Sequence, residues 1–218
     1  MAQLISEIVP LGVAVAASPF PVIPSILLLF TPRARATGSA FLAGWIVGVM
    51  LAAGVFVVLA TVVQLADEPP AWATWTRIVL GAVLIALGLG KWIGSGADSE
   101  QPAWMRSIDA LTPSSAFRLA FLLSAANPKI VLIAAAAGLA IGSAELGGSE
   151  EVLALVVFTV IAASTVALPL VLHAVFGDRV LEPLGNVRDW LQVHNATVMS
   201  VVLLVIGAAV LLKGLSGV

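Results

Sequence analysis

The sequence predicts an all-α polytopic membrane protein with six transmembrane helices, arranged as two inverted three-helix repeats with broken helices 1 and 4. Three observations predict this fold class. Hydrophobic residues make up 61% of the 218 residues and charged residues only 10%, against roughly 25% charged residues in ordinary soluble domains. The charges are clustered, so that long stretches of the chain carry almost none. A proline-containing break also occurs once in each half.

The spans follow from the spacing of the charges, because a bilayer core about 30 Å thick needs around 20 apolar residues as helix. Five stretches are long enough, and they cover residues 8–32, 36–66, 119–144, 152–177 and 190–212. Four of them carry no charge, and the stretch 119–144 carries one, Lys129. A sixth holds 13 residues between Arg77 and Lys91. It reaches spanning length if both cations extend to the headgroups and Trp75 and Trp92 lie at the interfaces. The predicted spans are about 4–30, 38–65, 74–93, 117–142, 152–176 and 195–214.

Six spans divide into a first three-helix repeat at 1–95, a cytoplasmic linker at 96–116 and a second repeat at 117–218. Because three is odd, a duplicated half lies upside down relative to the first. Most basic residues fall in the loops after spans 1, 3 and 5. The positive-inside rule therefore places both termini outside the plasma (inner) membrane. The first span has no preceding basic region, so we expect it to be retained rather than cleaved.

Each repeat contains one helix break near the centre of its first span. A capping residue stands directly before a proline at Ser18 in span 1 and at Asn127 in span 4, which is typical of the start of a new helix. Broken helices at mid-membrane depth, one in each inverted half, are a common way to build a transporter site. The predicted substrate-binding residues are Ser18, Pro19, Phe20, Pro21, Asn127, Pro128 and Lys129. For Pro24 and Pro169 we expect simple structural kinks.

Lys129 is the one formal charge that falls neither in a loop nor at a helix end. A lysine at the centre of a transmembrane helix costs around 3 kcal/mol on insertion scales, so it usually faces the interior of the helix bundle. The N-termini of the half-helices at Ser18 and Asn127 add positive field there. This predicts a site for a phosphate, sulfate or carboxylate group. The alternative is a structural tie, in which Lys129 binds carbonyls freed by the nearby prolines of span 1.

The remaining polar residues in the spans are expected to be structural. Ser124, Ser164 and Thr165 suit helix packing, and His173 and His194 are expected to find local partners. The motifs Gly44-x-x-x-Gly48 and Gly138-x-x-x-Gly142 are compatible with close helix contacts or with a homodimer. Residues 180–191 carry apolar side chains at helical spacing and form either an interfacial helix or an ordinary packed loop.

Several function classes are disfavoured by what the sequence lacks. It contains no cysteine and no Asp or Glu within a span, so a carboxylate proton relay is not expected. It also has no metal-ligand cluster, no phosphate-binding glycine loop and no nucleophile–base pair. We therefore expect no enzymatic activity, no cofactor and no metal. The net charge of −2 argues against a nucleic-acid partner.

These motifs resemble those of the lysine-exporter (LysE) superfamily, which is built from two inverted three-helix repeats. The resemblance rests on the proline-rich break in span 1 and on Asn127-Pro128-Lys129 in span 4. More narrowly, the stretches at 18–23, 31–36 and 41–45 resemble the (peptido)glycolipid addressing protein (GAP) branch of actinobacterial envelopes. The resemblance covers nearly the whole chain.

The resemblance implies export or flipping of an envelope lipid or glycolipid, with the site at 18–21 and 127–129. It also implies the bilayer and envelope-lipid biosynthesis or export proteins as partners. Two alternatives stay open. One is a small-molecule exporter for amino acids or anions, although Ser18 and Phe20 stand where amino-acid exporters of this superfamily usually carry glycine. The other is a non-transporting scaffold of an envelope-lipid export machine.

Overall fold

The computed structural model of the protein describes residues 1–64, 79, 82–83, 85–86, 88–90, 111–144 and 146–215. Throughout this part of the chain the regular structure is helical. The α-helices are α1 (Ala2–Ala16), α2 (Pro19–Leu27), α3 (Ala34–Gln64), α4 (Pro113–Ala125), α5 (Pro128–Gly142), α6 (Gly148–Phe176) and α7 (Leu181–Leu215). Short 3₁₀ turns at Leu28–Phe30 and Gly177–Val180 follow α2 and α6.

Both predicted helix breaks are present. The axes of α1 and α2–Phe30 differ by 50°, and those of α4 and α5 by 64°. The residue that starts each second helix has extended backbone angles, φ −70° and ψ 118° at Ser18 and φ −79° and ψ 115° at Asn127. The following proline lacks an N–H, so it cannot continue the preceding helix but suits the first position of a new one. The two breaks therefore share the same backbone arrangement at the start of the second helix.

Two helical stretches of the described residues, Ala34–Ala60 and Gly148–Asn195, are long and apolar enough to cross a membrane, and counting each bent pair as one span gives up to four. The protein is thus all-helical in this part of the chain, with helices suited to a membrane. Predicted spans 2 and 5 correspond to α3 and α6, each of which begins four residues earlier than predicted. Most of the third predicted span, 74–93, and most of the linker at 96–116 lie outside the described residues.

Helices from the two halves pack against each other across the molecule. Helix α1 lies against α6, and α4 lies against α3, so the first segment of each broken pair contacts the long helix of the other half. Helix α5 also packs on both α1 and α3. The two glycine motifs allow these approaches: Gly44 and Gly48 face α4, and Gly138 and Gly142 face α3. Their close contacts are therefore made within one chain.

The core lies between α1, α3, α4, α5 and α6 and draws on both halves. Its largest fully buried side chains are Trp45, Phe41 and Phe158. The Trp45 indole Nε1–H donates to the carbonyl of Ala162 over 3.4 Å, which joins α3 to α6. Outward faces carry large apolar residues, such as Val58 and Val160, as expected for helices that contact lipid tails.

Helix α7 differs from the sequence expectation, which separated a segment at 180–191 from a span at 195–214. The structure instead has one helix over Leu181–Leu215. Gly177, with φ 62°, ends α6 in a conformation that favours glycine. Near the N-terminus of α7, Leu184 packs with Ile26 and Leu29 of the α2 segment, which comprises α2 and the 3₁₀ turn that follows it. Arg188 lies over the ring of Phe30 in the same segment. The segment is therefore packed on the first half rather than separated from the last span.

Candidate functional site

The N-terminus of α5 carries the lysine that the sequence singled out. Asn127 caps this helix, because its Oδ1 accepts a hydrogen bond from the backbone N–H of Lys129 over 3.1 Å. The cap holds the first turn of α5 and so fixes where the Lys129 side chain leaves the backbone. Lys129 and Asn127 are half-buried, whereas Pro128 is exposed. The predicted capping role of Asn127 is confirmed.

The N-terminus of α2 is arranged differently. Ser18 occupies the capping position and is only 2% exposed, but its hydroxyl makes no capping hydrogen bond. A capping serine accepts from the N–H of the second or third residue of its helix. Pro21, at the third, has no N–H, which leaves the N–H of Phe20, at the second, as the one such donor in this helix. The predicted start of a new helix with Ser18 in the N-cap position is confirmed, although the Ser18 side chain makes no capping hydrogen bond.

The two breaks meet at the thioether of Met199 in α7. Lys129 Nζ lies 3.0 Å from Met199 Sδ, and the Ser18 hydroxyl donates to the same sulfur over 3.9 Å. Met199 is 181 residues from Ser18 and 70 from Lys129 in sequence. One atom thus joins the start of α2, the start of α5 and the middle of α7. The N-termini of α2 and α5 both direct positive partial charge toward this point.

Lys129 does not form the structural tie to freed carbonyls that the sequence left open. Across the residues that the structure describes, Met199 Sδ is the one acceptor within hydrogen-bonding distance of Nζ, and no ion pair involves Lys129. A lysine ammonium has three hydrogens to donate, and a thioether is a weak acceptor. The cation is therefore held by a poor partner at a half-buried position, which leaves donor capacity for an incoming oxygen.

A hydrogen bond from the second half steadies the first break. The hydroxyl of Thr165 in α6 donates to the carbonyl of Ala16, the last residue of α1, over 2.7 Å. The final carbonyls of a helix have no partner within it, and a polar group left unpaired in apolar surroundings is costly. Ser164, by contrast, donates to Ile161 in its own helix and is exposed. Thr165 thus has a more specific role than the general packing we expected.

The other predicted site residues lie in the first turns of α2 and α5, next to this meeting point in sequence. Pro19 and Pro21 are buried in the first turn of α2, and Phe20 is half-buried between them. Helices α2 and α6 continue past Pro24 and Pro169, in keeping with structural roles for these prolines. Ser124 donates to carbonyls of its own helix.

The two histidines find local partners, as expected. His173 Nε2 lies 3.4 Å from the Asp178 carboxylate. His194 Nδ1 lies 2.9 Å from the Trp190 carbonyl, and its ring stacks on the Trp190 indole. No group of three or more potential metal ligands occurs among the described residues. Neither histidine therefore belongs to the meeting point at Lys129.

Sequence reasoning missed Met199 and the specific role of Thr165. Methionine in an apolar stretch is indistinguishable from core-filling residues, and nothing near Met199 in the sequence marks it. Thr165 stands out in the sequence as a polar residue in mid-span, but its partner lies 149 residues away. The signal that identifies Thr165 is a polar residue in a span at the same depth as a helix break. No such signal exists for Met199.

Comparison with known proteins places the chain in a lipid-related family. Searches of curated proteins and of solved structures found no match. The family model described as Sap, sulfolipid-1-addressing protein (SfLAP), matches residues 8–216, which include both breaks, Thr165 and Met199. On this match over nearly its whole length, the chain belongs to the SfLAP family of sulfolipid-1-addressing proteins.

Proposed function

We propose that this protein exports or flips an envelope lipid or glycolipid across the plasma membrane and holds its polar or anionic head at Lys129. The observation that carries the proposal is the position of the Lys129 ammonium where two broken helices meet, with a thioether as its acceptor. A cation at such a position is better suited to bind an anionic ligand than to stabilise the fold.

The chemistry of the site favours a head with anionic oxygens. Hydrogen bonds between an ammonium and an oxyanion are roughly twice as strong as neutral ones, and the N-termini of two helices add to the attraction. The name of the family refers to a sulfolipid, and a sulfate group has the charge and oxygens that suit Lys129. The apolar outer faces of the helices allow the acyl tails to stay in the bilayer while the head passes.

The proposed mechanism is alternating access between two inverted repeats of three spans, as in the LysE superfamily and its GAP branch. The similar angles at Ser18 and Asn127 support a duplicated unit, as does the reciprocal packing of α1 on α6 and α4 on α3. Rocking one repeat against the other would expose the Lys129 site first to one side and then to the other. In this proposal both termini face outward, and neither a cofactor nor a metal takes part.

Replacement of Lys129 tests the proposal. The full chain is reconstituted into phosphatidylcholine vesicles with fluorescent lipids that carry a sulfate head or an uncharged sugar head, and the rate at which each crosses the bilayer is measured. Loss of a charge-assisted hydrogen bond of about 1.5–3 kcal/mol corresponds to a rate roughly 10- to 100-fold lower for Lys129→Ala with the sulfated lipid. Lys129→Arg should retain part of the rate.

Arg118→Ala is the matched control, because it also removes a cation from the α4–α5 unit but at an exposed position. A Lys129→Ala variant that folds normally and moves the sulfated lipid at the original rate would exclude Lys129 as the head-group site. Uptake of amino acids or inorganic anions without lipid movement would favour the small-molecule exporter. Absence of any flux, together with co-purification of an envelope-lipid export protein, would favour the scaffold.

A further inference from the structure

The Met199 side chain occupies the space between the two polar groups of the breaks. Its sulfur lies within hydrogen-bonding distance of Lys129 Nζ and near the Ser18 hydroxyl, and the residue is 8% exposed. Both polar groups donate hydrogen, so both point to an acceptor at this position. The acceptor present is a thioether sulfur, which is a weak acceptor.

A weak acceptor is easily replaced. Methionine is unbranched, with three rotatable side-chain bonds and a polarisable sulfur, so it fills irregular space and adopts other rotamers at low cost. Exchange of the thioether for an anionic oxygen would convert a weak hydrogen bond of Lys129 into a charge-assisted one. A carboxylate or backbone carbonyl in place of the sulfur would resist such an exchange.

Met199 also connects the site to a helix that contacts the first half. Helix α7 packs along α2 and touches α1, and Leu184 near its start packs on the α2 segment. Release of the sulfur from Lys129 would therefore remove a contact between α7 and the N-terminus of α5. Binding of a ligand at Lys129 would in this way change the packing of α7 against both helix breaks.

From these contacts we propose that Met199 is an exchangeable occupant of the head-group position, whose thioether holds Lys129 and Ser18 until an oxygen of the lipid head displaces it. This proposal rests on the proposed function, because it requires an oxygen-bearing ligand at Lys129. It adds a residue on α7 whose side chain competes with the lipid head for Lys129. The affinity for the head should then depend on the acceptor strength of residue 199.

Two substitutions of similar size separate this role from simple packing. Met199→Leu removes the acceptor, so a sulfated lipid no longer competes with a hydrogen bond to Lys129 and its apparent KM should fall. Met199→Gln supplies an amide oxygen that binds Lys129 more firmly, so the apparent KM should rise. We expect each change to be roughly three- to tenfold, as for one modest hydrogen bond. Met50→Leu makes the same chemical change in α3 and should leave the KM unchanged.

The measurement is the concentration dependence of sulfated-lipid movement in vesicles, with the uncharged sugar-headed lipid as a second substrate. Opposite shifts of KM for the two Met199 variants, larger for the sulfated lipid, support the proposal. Shifts in the same direction, or equal shifts for both lipids, overturn it and indicate a packing role. If one variant does not fold, the direction in which the other changes the apparent KM for the sulfated lipid decides whether the proposal holds.

The Lys129→Ala experiment keeps the two proposals distinguishable. If Lys129→Ala moves lipid normally, the head-group site itself is refuted. If Lys129→Ala is inactive and the Met199 variants shift KM in the same direction, only the exchange is refuted.

Discussion

Replacement of Thr165 by valine is expected to destabilise the protein, although the two side chains have nearly the same shape. The Thr165 hydroxyl donates over 2.7 Å to the carbonyl of Ala16, at the end of α1. Valine fills the same space without a donor. A buried acceptor that loses its partner costs about 1–3 kcal/mol in measured series. Because Thr165 is half-buried, we expect the lower part of this range.

The assay is thermal unfolding of the detergent-solubilised full chain, followed by circular dichroism. A loss of this size should lower Tm by roughly 2–6 °C for a chain of about this length. Ser164→Ala is the matched control, because that hydroxyl is exposed and donates within its own helix, and its Tm should stay within about 1 °C of the original protein. Equal Tm values for Thr165→Val and the original protein would refute the conclusion that α6 stabilises the break.

Two further predictions concern the packing between the halves. Gly44→Ala should lower the Tm, with a cost of about 1–3 kcal/mol, because the added carbon would meet the backbone carbonyl of Phe117. Gly54→Ala in the same helix should be neutral or stabilising, because the nearest atom there belongs to the Leu155 side chain at 3.7 Å. Equal losses of Tm for the two variants would contradict the close α3–α4 contact. Trp45→Phe removes the Nε1–H that donates to Ala162 and part of a fully buried side chain, and should cost about 1–3 kcal/mol; an unchanged Tm would show that the Trp45 indole does not stabilise the α3–α6 contact.

The helix breaks were predictable because their cause is local. Proline cannot donate a hydrogen bond, and a serine or asparagine before it suits the start of a helix. Residues 18 and 127 follow from this rule alone. The bend angles of 50° and 64° do not, because they depend on what each half-helix packs against. The missing capping hydrogen bond of Ser18 does not follow from the sequence either, because Pro21 removes the N–H of the third helical residue but Phe20 keeps that of the second.

The composition of the site depended on distant contacts and was only partly predictable. Lys129 stood out because a charge in an apolar stretch is costly. Met199 did not, because its role arises from its position between two groups that are 181 and 70 residues away. The joining of 180–191 to the last span was missed because charges at Asp178, Glu182 and Asp189 suggested a separate segment. In the structure Leu184 turns instead toward the α2 segment.

The central claim is that the lipid head binds at Lys129, and a structure of the protein in a nanodisc with a sulfated lipid tests it most directly. We predict density for the head with an oxygen within about 3.2 Å of Lys129 Nζ, close to the N-termini of α2 and α5. A bound lipid with its head elsewhere, and the 3.0 Å contact between Nζ and Met199 Sδ unchanged, would contradict the claim.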